Sequence, residues 1–137
     1  MGDIEKARRF VAANHRGVLV TYRRDGNVQT SPVSAGVDAE GRVVISVTED
    51  RAKTRNARRD PRVALCVFND AFYGAWVQVE GTAQFADGPD GVEALVEYYR
   101  TLSGEHPDWD EYRAVMVRDR RVLLRFEIER AAGPGAE

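Results

Sequence analysis

The chain has 137 residues, of which 43% are apolar and 31% charged; this suits one globular domain with its own core and excludes a largely disordered chain. One cysteine, Cys66, and two histidines, His15 and His106, rule out an internal disulfide and a multi-thiolate zinc site and leave little material for any metal centre. The net charge of −2 argues against a globally basic nucleic-acid binder, and no apolar run approaches the ~20 residues that cross a bilayer.

The N-terminal MGDIEKARRF is charged and lacks the apolar core of an export signal, so a cytoplasmic protein is expected. Ile4, Ala7, Phe10 and Val11 recur at helical spacing within 3–14, with Asp3 as N-cap. A strand over 18–23, a turn at Asp25-Gly26 and a strand over 28–38 follow, Asp-Gly being a strong hairpin signal. A second turn at 38–41 leads into the β-branched strand 42–48. Residues 51–60 break the strand pattern and suit a short helix capped by Asp50 and limited by Pro61. Strands are expected over 61–68 and 75–85, with Gly81 marking a bulge or a close backbone approach. Helices over 90–102 and 108–118 precede a last strand over 120–130, and 131–137 read as a frayed tail of this one domain, 1–137. The sum is a mainly β chain of about six antiparallel strands with short helices, closing into a small barrel. Neither G-x-G-x-x-G nor a Walker loop is present.

The sharpest local signal lies at 46–62. From Arg51 to Arg62, twelve residues hold five Arg, one Lys and one Asp. Lys is rare here: 18 of the 20 basic residues are Arg, and only Lys6 and Lys53 are Lys. Cations in a first helical turn oppose the helix dipole, whose free N–H groups already favour an anion. Arg51, Lys53 and Arg55 there make sense if a phosphate binds between them, a local rule broken at a functional site. Helical spacing puts Lys53 and Asn56 on one side and Arg51 and Arg55 on the next. Two plainer readings remain open: a solvated basic face paired with Glu49, Asp50 and Asp60, and a nucleic-acid patch, although no aromatic is interleaved with the charges. Cys66, mid-strand with no cation nearby in sequence, reads as a structural thiol, and His106 as a residue that holds its loop.

The order strand, S-x-T-x-x-R-x-K-x-x-N, helix, Asp-Pro, strand, V-x-V-E-G resembles the flavin-binding split β-barrel of the pyridoxamine 5′-phosphate oxidase superfamily. The segments RAKTRNARRDPR (51–62) and GEHPDWDEYRAVMVRDRRVLL (104–124) look like its branch that binds the deazaflavin coenzyme F-420. The resemblance covers nearly the whole chain. It implies a homodimer with the cofactor in a groove between protomers and a small-molecule substrate, with no role for nucleic acid or membrane. It places Lys53 and Arg51 at the phosphate, with Arg55 close behind. Ser46 and Thr48 fall beside the ribityl chain and phosphate, and Asn56 becomes a further polar contact on the helix. Gln29, Ser31 and Val33 line the ring, while Trp76 or Tyr73 face the partner's cofactor. No side chain need be catalytic, because the ring carries the hydride, and no metal is implied. Pyridoxamine phosphate oxidases use a C-terminal Arg/His-bearing segment for substrate; this chain ends EIERAAGPGAE, and position 52 is Ala where that enzyme has Arg. The activity implied is therefore an F-420-dependent oxidoreductase acting on an unsaturated or quinone-like acceptor, with an FMN-dependent oxidoreductase or a non-catalytic F-420 carrier as alternatives.

Overall fold

A computed structural model describes residues 2–137. The chain order is α1 (Ile4–Ala13), β1 (Arg16–Tyr22), β2 (Val28–Val37), β3 (Val43–Thr48), α2 (Ala52–Arg59), β4 (Arg62–Phe68), β5 (Trp76–Thr82), β6 (Gln84–Ala86), α3 (Gly88–Ser103), α4 (Trp109–Arg118), β7 (Arg121–Phe126) and β8 (Arg130–Ala132), then a 3-10 turn over Pro134–Ala136. Eight strands pair in the order β6-β7-β3-β2-β1-β4-β5-β8, every ladder antiparallel.

Two strands expected as one piece are broken in two, which accounts for eight strands where six were expected. The run 75–85 pairs with β4 up to Thr82 and with β7 from Gln84. Ala83 is the corner, its N–H donating to the Pro61 carbonyl (2.7 Å). Since β5 and β6 lie near opposite ends of the sheet order, this one segment closes the barrel. Gly81 makes the corner feasible: a Cβ there would lie 2.4 Å from the Glu127 carbonyl oxygen. The last strand likewise stops at Phe126 and resumes at Arg130 beside β5. The tail expected to fray is docked instead. Gly2 and Asp3 N–H groups donate to the Ala131 and Ala136 carbonyls, and Ala136 is buried.

The barrel splits at β2. Residues 35–37 pair with β3, whereas Val28–Ser34 pair only with β1, which leaves their other edge open. Alternation along the strands fills the interior with Leu19, Ile45, Val47, Leu65, Val79 and Phe126, and α1 closes one end with Ala7 and Val11. Helices α3 and α4 cover the outer face of β3 and β7 through Val44, Leu123, Leu95, Val96 and Tyr112. Asp3 and Asp108 cap α1 and α4, accepting from Lys6 and Glu111 N–H groups.

Candidate functional site

Helix α2 sits where β2 leaves β3. Its N-cap is Arg51, extended in backbone and without a side-chain cap bond, so the expectation that Asp50 caps it is corrected. The Arg51 N–H turns back onto the Thr48 carbonyl (3.1 Å), and the helix begins one residue later than an Asp50 cap would require. Asp50 contributes only its carbonyl, accepting from Arg55 Nη1 (2.6 Å). Lys53 therefore stands second in the helix, and no carboxylate occupies the first turn. The free N–H groups there keep their attraction for an outside anion.

The helix is anchored through one face. Thr54 is fully buried and donates to the Thr48 carbonyl (2.7 Å), and Ala57 joins the barrel core. Asn56 is also buried: its Nδ2 donates to the Thr21 hydroxyl (3.2 Å) and its Oδ1 accepts from Arg59 (3.1 Å). With that face turned inward, Lys53 falls on one flank and Arg55 and Arg59 on the other.

On the first flank lies a groove of about 510 Å³ between the open stretch of β2 and helices α3 and α4. Pro32, Val33 and Ser34 form one wall, Tyr98, Tyr99, Tyr112 and Met116 the other, and Ser46, Lys53 and Arg121 also line it. Ser46 reaches it because β3 alternates: Val43, Ile45 and Val47 point into the barrel, so 46 and 48 point out. Arg121 opens β7 directly across from Thr48, and its Nη1 donates to the Ser46 hydroxyl (3.4 Å). Burial, and then the charges of Arg51 and Arg121, hold the Lys53 ammonium below the usual lysine range. Tyr98 donates to the Ser34 carbonyl (2.7 Å), which ties α3 to β2 across the groove. Burial pushes the phenols of Tyr98 and Tyr112 up, the latter to about 12, so both wall residues are neutral donors.

On the second flank, Arg23, Arg24, Arg55 and Arg59 surround a pocket of about 310 Å³ that also takes in Gln29 and Asn56. Among the described residues, eleven of the 20 Lys and Arg side chains have a carboxylate within 4.0 Å. Arg24, Arg51, Lys53, Arg55, Arg59 and Arg121 are among those with none, and all lie on α2 or beside it. The plainer reading of a basic face paired with nearby acids holds only for Arg58 and Arg62. Arg58 grips Glu49 and Asp87 (2.7 and 2.8 Å) and stacks on Phe85, and Arg62 grips Asp60 (2.7 Å).

The structure thus brings Ser46, Lys53 and Val33 to one groove and Gln29, Arg55 and Asn56 to one pocket, with α2 between them. Ser31 is half-buried between Gln29 and Val33 on the same strand face, and Thr48 is half-buried at the end of β3. Tyr73 (93% exposed) and Trp76 (40%) belong to the β4–β5 connection and the start of β5, and line neither cavity. Arg121 was missed from sequence. Its signal was the second Arg of DRRVLL, indistinguishable there from its neighbours Arg118 and Arg120. His106 holds its loop as expected, its Nδ1 accepting from the Asp108 N–H (2.9 Å). Burial raises the Cys66 thiol, which keeps it protonated and unreactive. Among the described residues, no three His, Cys, Asp or Glu side chains are placed to share a metal ion, and no helix is long and apolar enough to cross a membrane.

The family model described as pyridoxamine 5′-phosphate oxidase matches residues 4–133. Among solved structures, the chain is similar to a conserved hypothetical protein from Mycobacterium tuberculosis, at 24% identity and TM-score 0.75 over 94% of this chain and 82% of that one. It is similar to an F-420 reductase, at 21% identity and TM-score 0.69 over 91% and 94%. It is also similar to the heme storage protein HutZ from Vibrio cholerae, at 14% identity and TM-score 0.72 over 97% and 95%. At these identities the likeness is one of fold.

Proposed function

The chain belongs to the pyridoxamine 5′-phosphate oxidase family, and from that premise we propose that it is a cytoplasmic oxidoreductase using coenzyme F-420, bound as a homodimer. The observation that carries this reading is the pair of anion-seeking sites on the two flanks of α2. FMN bears one phosphate, which the uncapped first turn with Arg51 and Lys53 would satisfy. F-420 bears a phosphodiester followed by carboxylates, and the pocket of Arg23, Arg24, Arg55 and Arg59 offers those carboxylates three guanidiniums, Arg24, Arg55 and Arg59, that no acid among the described residues pairs with, Arg23 being held by Asp25 at 3.5 Å.

When bound, the deazaflavin supplies the hydride. The protein's own residues do the rest. Lys53 and Arg51 hold the phosphate, with the free N–H groups of α2 behind them. Ser46 and Thr48 supply hydroxyls beside it. Val33 and Ser31 give the open stretch of β2 a surface for the ring, and Tyr98, Tyr99, Tyr112 and Met116 form the wall facing it. A planar, electron-poor acceptor such as a quinone would lie against that wall. No titratable residue among those lining the groove is needed to move the proton, which water can supply.

Dimerisation has its own support. The outer face of β1 and β4 carries Val18, Val20, Ala64, Cys66 and Phe68, each half-buried and pointing away from the barrel core of Leu19, Leu65 and Val67. A second copy seated there would also bring Tyr73 and Trp76 of the partner toward a groove that one protomer leaves open.

The test is equilibrium titration with F-420 and with FMN, followed by turnover of the reduced cofactor with a panel of quinone and enone acceptors. F-420 should bind roughly tenfold or more tightly than FMN, because several exposed ion pairs of about 0.2–1 kcal/mol each add to the phosphate grip. That advantage should shrink as salt rises. Equal affinities at low salt would favour an FMN oxidoreductase, and tight F-420 binding without turnover would favour a carrier.

A further inference from the structure

We propose that Arg121 is a third cation of the phosphate site, gripping the same phosphate as Lys53 and Arg51 from the opposite side of the groove; this rests on the cofactor reading above. The two elements involved are far apart in sequence. Lys53 comes from the first turn of α2, Arg121 from the first residue of β7, and both line one groove together with Ser46. Arg121 is held by the β3–β7 ladder, in register with Thr48, so its position is set by a sheet and not by a loop.

Nothing among the described residues accounts for its placement. No carboxylate lies within 4.0 Å of Arg121 among the described residues, although most arginines outside this region have one. Asp119 lines the same groove, but its carboxylate is engaged by Arg118 at 3.2 Å. The bond from Arg121 to the Ser46 hydroxyl is long, at 3.4 Å, and exposed, which is too weak to be the reason for a guanidinium there. Instead the charge sits close enough to Lys53 to disfavour its ammonium, with Arg51 adding to the effect. Three cations brought together without an acid are a cost in the free protein, and a bound phosphate removes that cost.

The geometry also assigns a role to the serine. Its oxygen accepts from Arg121 Nη1, which leaves the hydroxyl proton free to point into the groove as a donor. Arg121 would thus bind the phosphate with its planar fork and orient Ser46 to do the same.

The experiment compares the parent protein with Arg121→Ala, Arg121→Lys and Arg113→Ala. Arg113 is paired with Glu93 outside the groove and serves as control. Each is titrated with F-420, with FMN and with inorganic phosphate alone, and each is melted without ligand. Arg121→Ala should lose about tenfold or more in cofactor affinity, one charge-assisted contact's worth. Arg121→Lys should recover part of it, as a point charge without the fork. The unliganded melting temperature of Arg121→Ala should stay level or rise, since a repelling charge has gone, and Arg113→Ala should bind like the parent. Unchanged affinity in Arg121→Ala, or a lowered melting temperature without ligand, would overturn the proposal and make Arg121 a structural strap. If the parent binds neither cofactor, the cofactor reading fails, but phosphate still decides on Arg121. A phosphate-induced rise in melting temperature that disappears in Arg121→Ala supports the three-cation site, and one that survives overturns it.

Discussion

Lys53 carries the heaviest demand placed on any side chain of the site. It is half-buried beside two guanidiniums, with no acid to offset them. Lys53→Ala should weaken cofactor binding roughly ten- to hundredfold, the worth of one charge-assisted contact to phosphate, as read by fluorescence titration. The unliganded variant should melt no lower than the parent. The pH dependence has a definite sign. The folded pKa lies below the unfolded reference of 10.5, so the unfolded chain holds the Lys53 proton more tightly. Lys53 therefore lowers stability at neutral pH, and that loss is relieved as pH climbs through the folded value toward 10.5. Denaturation of the parent and of Lys53→Met across pH 7 to about 10.5 should show the parent gaining on the variant. Cofactor affinity should fall over the same window, because the anion needs the ammonium charged. A flat difference between the two proteins would show that Lys53 is ordinarily solvated.

At the scale of the element, α2 shows how tertiary contacts reassign residues that periodicity alone cannot sort. Asn56 shares a helical side with Lys53 on paper, which made it a candidate contact for the cofactor. In the fold its amide is buried between Thr21 and Arg59 and works as a tether. Asn56→Ala should cost about 1–3 kcal/mol, since it leaves the buried Thr21 hydroxyl without its partner; urea denaturation monitored by circular dichroism measures it. The β5–β6 corner makes a second demand. Gly81→Ala would press a methyl group against the Glu127 carbonyl and the Phe126 ring, neither of which can move freely. A destabilisation of about 1–3 kcal/mol is expected, and a variant as stable as the parent would mean that the barrel closes less tightly than this contact requires.

For the whole molecule, the question is what covers the outer face of β1 and β4. Val18 faces Pro32 and Cys66 across the ladders, and Val20 faces Thr30 and Ala64, so a continuous apolar strip crosses three strands. Sedimentation at micromolar concentration should find a dimer. Val20→Glu should find a monomer that still folds, because its side chain points away from the barrel core formed by Leu19 and Leu65. A parent protein that stays monomeric while binding cofactor with full affinity would defeat the dimeric reading and with it the role given to Tyr73 and Trp76.

Much of this was legible in the chain before any coordinates. Strand alternation, the Asp-Gly turn, the Asp3 cap and the basic run at 51–62 are local signals. Each depends on neighbours within a few residues, and the sequence alone determined them: a mainly antiparallel β chain with a strongly basic helix after its third strand. The capping of α2, the docked tail, the corner at Ala83 and the burial of Asn56 depend on which distant backbone groups arrive beside them, and only the tertiary structure decided these. Arg121 is the clearest case. Within RDRRVLL it is one arginine among three, and it comes to line the groove with Lys53 only because β7 pairs with β3 and sets it across from Thr48. A charge declares its sign in the sequence, but what it acts on is set by what the fold brings within a few ångströms of it.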